Sequence, residues 1–136
     1  MATIYSEFVV DAPRDFVWSA VKDVGAVHTR LARGFVTNVE LAGDVRTVTF
    51  ANGFVVKEQI VTIDDEHCRL AYSSIGGRAT HHNASIQAVE TGNGKTRVVW
   101  ITDLLPDDIQ GQIQQMVEQG SKAIARTLEE SVPSRA

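Results

Sequence analysis

A single cysteine, Cys68, leaves nothing inside the chain for it to pair with, so no internal disulfide holds the fold. That usage fits a reducing cytoplasm, which is the expected compartment. No apolar run approaches the length of a bilayer crossing, so membrane insertion is not expected. The opening residues, Met1 to Glu7, lack the basic-then-apolar layout of a secretory leader. Positive charge is in deficit: 13 Lys and Arg against 17 Asp and Glu give a net charge of −4, which offers no attraction to nucleic acid. Metal-ligand spacings are missing as well. The adjacent His81 and His82 would point to opposite faces of a strand, and Cys68 stands alone, so neither a metal nor a cofactor is expected. Gly92-Asn93-Gly94 precedes no helix and reads as a hairpin loop rather than a phosphate cradle. A nucleophile-elbow motif is absent.

What is present is a chain of 136 residues, 43% hydrophobic and 22% charged, enough for one domain over residues 1–136 with a real core. Its most regular stretch runs from Pro106 to Glu130. Ile109, Ile113, Met116, Val117, Ile124 and Leu128 recur on the period of one buried helix face, with Gly120 and Ala123 in the same stripe. Asp107 is placed to cap this helix, with Gln110 three residues on to complete a capping box. Such a helix is roughly 35 Å long and needs a cover.

The cover is read upstream. Thr3–Val10 alternates as a first strand, and Pro13 opens a short helix that Gly25 stops. A second short helix or turn spans Ala26 to Ala32. Strands follow at 35–41, 45–50, 54–63, 67–74, 79–89 and 96–104, divided by turn-forming clusters such as Gly43-Asp44, Asn52-Gly53 and Gly76-Gly77. The expected fold is α+β: seven antiparallel strands in a curved sheet, two short helices between strands one and two, and the long helix on one face.

Asp11-Ala12-Pro13 before Val17-Trp18, the six-strand meander and the long amphipathic C-terminal helix together resemble the START-like helix-grip superfamily (SRPBCC). The similarity is greatest to its polyketide cyclase/dehydrase and lipid-transport branch. His81-His82-Asn83-Ala84-Ser85 and Val99 through Pro106 look like one bacterial subgroup of it. The resemblance implies a deep cavity between sheet and long helix that accepts apolar or amphipathic ligands. It does not select an activity, because the same fold serves cyclases, carriers and regulators.

Strand registers that group apolar residues also align polar ones. Pairing Ile63 with His67 sets Glu58 opposite Tyr72; pairing Ile75 with Ala79 sets Tyr72 opposite His82; pairing Glu90 with Thr96 sets Ile86 opposite Trp100. Glu58, Tyr72 and His82 then form a row facing the helix, a trio able to position a ligand or to move a proton at a carbonyl or hydroxyl. Phe50, Val56, Ile60, Leu70, Ala84, Ile86, Trp100, Met116 and Gly120 are the expected ligand-contacting wall. Arg46 fits either face, because the Gly43-Asp44 hairpin permits two registers. Asp103 falls opposite Asn83 on the outer face, where Val99 and Ile101 form an apolar patch able to support a homodimer.

Three functions are compatible with this pattern. The first is binding of a small hydrophobic, polyketide- or lipid-like molecule between sheet and helix. The second is a cyclase- or dehydratase-type enzyme using Glu58, Tyr72 and His82. The third is a regulatory or chaperone-like module acting through its surface. A buried polar trio equally serves to satisfy its own members, so the row alone does not choose among them.

Overall fold

The computed structural model describes residues 2–133; Met1 and residues 134–136 of the expected domain lie outside the described residues. Seven antiparallel strands form one open sheet in the order β1-β7-β6-β5-β4-β3-β2. The strands are β1 (Ala2–Val10), β2 (Val36–Ala42), β3 (Val45–Phe50), β4 (Val55–Asp64), β5 (Arg69–Ile75), β6 (His81–Glu90) and β7 (Thr96–Leu105). Between β1 and β2 the chain crosses from one sheet edge to the other through helix α1 (Arg14–Val21) and a π-type turn at Val27–Leu31. The meander then returns strand by strand until β7 lies against β1, and helix α2 (Gln110–Ser131) packs across the concave face. This is the helix-grip architecture.

The capping expected at Asp107 is corrected. A short 3-10 turn, Asp107–Ile109, comes first, and α2 begins only at Gln110, with no side-chain cap at Ile109. The helix therefore starts one turn later than its sequence signal.

Burial along α2 is uneven. Ala123, Ile124, Thr127 and Leu128 in its second half are buried, in a core with Val10, Val17, Val21, Leu70 and Val98. Thr127 accepts the backbone N–H of Arg33 at 3.0 Å, and Arg126 donates to the Arg33 carbonyl at 3.1 Å, which fixes this end of α2 to the approach to β2. In the first half Ile113 and Met116 are only half-buried. The helix therefore grips the sheet with its C-terminal half, while its N-terminal half roofs a space.

Two of the three expected registers are corrected. Glu58 pairs with Ser74 and Ile60 with Tyr72, while Tyr72 pairs with Ala84 and Leu70 with Ile86. At Glu58, Ile60, Leu70 and Tyr72 both hairpins are displaced by two residues from expectation, an even number, so these side chains keep their expected face; at the β4–β5 tip, beyond an irregularity at Val61, the displacement is three. The β6–β7 register is as expected, with Ile86 opposite Trp100 and Asn83 opposite Asp103. Among the described residues no helix is long and apolar enough to cross a membrane.

Candidate ligand cavity

The space under the first half of α2 is a cavity of about 450 Å³. Its roof is Ile113, Met116 and Val117 of α2. Phe35, Phe50, Phe54 and Trp100 supply aromatic walls, and Val55, Val56, Ile75 and Leu104 line the rest of the apolar surface. The mouth is edged by the β5–β6 loop, Gly76 to Ala79, where Arg78 donates to Gln112 of α2 at 2.7 Å. That bond ties the loop to the helix roof.

Glu58, Tyr72 and His82 all line this cavity, but not as one hydrogen-bonded row. Each has a different protein partner. Glu58 Oε1 accepts the Nε–H of Arg46 at 2.8 Å, and the two side chains are 11% and 6% exposed. The pairing follows from β3–β4 register, which sets Arg46 directly across from Glu58. Arg46 also donates to the Val24 carbonyl at 3.3 Å and lies 5.1 Å from the centre of the Tyr72 ring, within cation–π range. The open question of Arg46 is thereby resolved: it faces inward and neutralises Glu58.

Tyr72 Oη accepts the indole N–H of Trp100 at 3.0 Å. Burial, and next the nearby Glu58 charge, push the Tyr72 phenol well above its ordinary range, so it stays protonated. Among the described residues its own proton has no acceptor. His82 stands where the β5–β6 ladder stops. The last ladder pair is Tyr72 with Ala84, and beyond it the Ser74 N–H, freed from backbone pairing, donates to His82 Nδ1 at 3.0 Å. Burial and then the charge of His81 hold the His82 pKa below its ordinary value, so the ring is neutral with its proton on Nε2. The two rings are 6.1 Å apart, centre to centre.

The expected apolar wall divides in three. Phe50, Val56, Trp100 and Met116 line the cavity. Leu70, Ile86 and Gly120 line instead a void of about 60 Å³ deeper in the core, which shares Phe35, Phe50, Glu58, Tyr72 and Trp100 with the cavity. Ile60 and Ala84 are buried and border neither space. Gly120 acts through close approach. A Cβ there would meet Phe35 at 3.0 Å and Trp100 at 3.1 Å, so the missing side chain lets both rings come up against the helix.

Residues the sequence reading did not assign to the wall include Phe35, Phe54, Ile75 and the loop from Gly76 to Ala79. Ile113 and Val117 carried a usable signal, since they share the helical stripe with Met116. The loop carried none, because turn composition does not report what a turn overhangs. Among the described residues no group of three or more His, Cys, Asp or Glu converges as a metal site would require.

Solved structures share this architecture at low identity. An uncharacterised protein from Bacillus thuringiensis is 18% identical with a TM-score of 0.82, over 93% of this chain and 98% of its own. Protein XoxI from Bacillus cereus is 17% identical with a TM-score of 0.81, over 96% and 95% of the two chains. Norcoclaurine synthase from Thalictrum flavum, solved with dopamine and hydroxybenzaldehyde, is 21% identical with a TM-score of 0.71, over 98% and 89%. At such identities the likeness establishes the fold. No protein of curated function matches the sequence. The family model described as polyketide cyclase / dehydrase and lipid transport matches residues 1–131, nearly the whole chain, and the chain belongs to that family.

Proposed function

We propose that the protein binds a small hydrophobic or amphipathic molecule, polyketide- or lipid-like, between sheet and α2. The observation that carries this reading is the cavity of about 450 Å³, walled chiefly by aromatic and aliphatic side chains, with polar groups contributed by β4 to β7, the β5–β6 loop and α2. That volume and lining match the ordinary dimensions of a small-molecule site. Membership of a family whose description includes lipid transport agrees with it. So does the norcoclaurine synthase complex, in which the same fold holds two small aromatic molecules.

Native mass spectrometry of the purified protein tests the reading. A co-purifying small molecule should be present in the wild type and absent after Met116→Trp, which fills the space beneath the roof, while far-UV circular dichroism is unchanged. A ligand retained in full by a folded Met116→Trp protein would place binding elsewhere.

One observation favours a second reading, an enzyme of cyclase or dehydratase type. Glu58 lines the cavity, and among the described residues its second carboxylate oxygen has no partner, so it has a lone pair to offer as a base. His82 is less suited to that role, since its Nδ1 lone pair is taken by the Ser74 N–H. Glu58→Gln separates the two readings: turnover of a bound ligand lost with affinity retained indicates an enzyme, and altered affinity without any turnover in the wild type indicates a carrier.

A further inference from the structure

We propose that the cavity selects ligands bearing a carbonyl oxygen, which receives the O–H of Tyr72 and the Nε2–H of His82; this rests on the ligand-binding reading above. The argument is one of hydrogen-bond roles already spent. Tyr72 Oη accepts from Trp100 Nε1 at 3.0 Å, and the phenol proton is left to donate. His82 Nδ1 accepts from the Ser74 N–H at 3.0 Å, which fixes the tautomer and turns the remaining ring nitrogen into a donor. Neither ring can reverse its role without orphaning a protein N–H. Both line the same cavity, with ring centres 6.1 Å apart, within reach of one small functional group.

The charges beside them do not compete. Arg46 neutralises Glu58 at 2.8 Å, so the buried pair beside the two donors is neither a net cation nor a net anion; the other charged lining residues, Lys57 and Arg78, are exposed cations and accept no hydrogen bond from a ligand or from the donors. Ser74 and Thr102 add hydroxyls that rotate to either role and do not discriminate. A ligand ammonium would face two donors and repel them. A hydrocarbon would bury both donors without a partner, which is the costly case. A carbonyl oxygen has two lone pairs in one plane and satisfies both at once. A site of this kind rejects the analogue lacking the acceptor more strongly than one that merely fits a shape.

Two rigid tricyclic probes of equal shape, 9-fluorenone and fluorene, differ only in carbonyl against methylene. Their affinities are measured by equilibrium dialysis with wild type, Tyr72→Phe and His82→Phe. Comparing the fluorenone-to-fluorene ratio between proteins cancels the difference in the probes' hydration. The ratio should fall about tenfold in each variant, through weaker fluorenone binding together with tighter fluorene binding once a donor left unpartnered by the hydrocarbon is gone. The infrared carbonyl band of bound fluorenone should lie below its position in hexane and move back toward it in the variants. An identical ratio in all three proteins, or a wild-type band at the hexane position, overturns the proposal while leaving ligand binding intact. Failure of both probes to bind wild type counts against the ligand-binding reading itself and removes this inference with it. Should Tyr72→Phe fail to fold, His82→Phe and the wild-type infrared band still decide.

Discussion

Removing the charge of Arg46 is the sharpest perturbation the interior offers. In Arg46→Met the aliphatic stem is kept and the guanidinium is lost, leaving Glu58, 11% exposed, without the bond it makes at 2.8 Å. A buried carboxylate stripped of its partner costs about 3–5 kcal/mol, far more than the pair contributes net, because desolvation is no longer offset. The lost contact with the Tyr72 ring at 5.1 Å adds to this, on the order of 1 kcal/mol. Against a typical domain stability of about 5–15 kcal/mol the loss is a large fraction. It corresponds to a fall in Tm of roughly 15 °C for a chain of this size. Thermal and urea denaturation followed by circular dichroism provide the assay. The double variant Arg46→Met/Glu58→Leu should recover most of the loss, because it removes both charges and leaves apolar surface to pack. If Arg46→Met shifts Tm by less than 3 °C, or the double variant is no more stable than the single one, the pair is not a desolvated unit and the reasoning fails.

Other consequences can be checked by the same methods. Gly120→Ala gains about 1 kcal/mol of helix propensity but forces Phe35 and Trp100 to yield, so a net loss of roughly 1 kcal/mol is expected; Gly111→Ala, with open space around its Cβ, should gain about 1 kcal/mol. Equal effects at the two glycines would show that Trp100 gives way freely. Because burial holds the His82 pKa below its ordinary 6.5, the unfolded chain takes up a proton that the native state refuses as pH falls through that value. Native stability should therefore decline from pH 7 toward 5, and His82→Gln should remove that part of the slope; His67, whose pKa Asp64 raises, contributes with the opposite sign and is common to both proteins. Identical pH slopes in the two proteins would contradict the assignment of His82. Trp18→Phe breaks the 2.8 Å bond from the buried indole to Asp65, linking α1 to the β4–β5 turn, and should cost about 1 kcal/mol in urea denaturation. No measurable change would mean that the bond only replaces one to water.

The architecture could be read from the chain because it rests on period and punctuation, both local. The alternation of Thr3 to Val10, the stripe from Ile109 to Leu128 and the glycine-bearing turns each state a face or a boundary within a few residues. The site depends on offsets between strands, which alternation leaves open in steps of two. At the β4–β5 tip, Ile63 pairs with Leu70 rather than His67, a shift that alone would turn Glu58 and Tyr72 to opposite faces. A bulge at Val61 takes one residue back and restores them to the same side. The inward orientation of the trio was therefore reached through two departures that the sequence does not announce: a longer turn, in which Cys68 takes a positive φ of 49°, and a bulge at an exposed valine. What those departures changed is who meets whom. With Glu58 opposite Ser74 and Arg46, its carboxylate is held by a cation, and Tyr72 is left to Trp100. His82, one step beyond the end of the ladder, accepts a backbone N–H that a strand carbonyl would otherwise have taken. Parity of register determined which residues share the cavity, and the absolute register determined their protonation and hydrogen-bond roles. The chemistry of this wall, two fixed donors beside a neutralised ion pair, is a property of the second and not of the first.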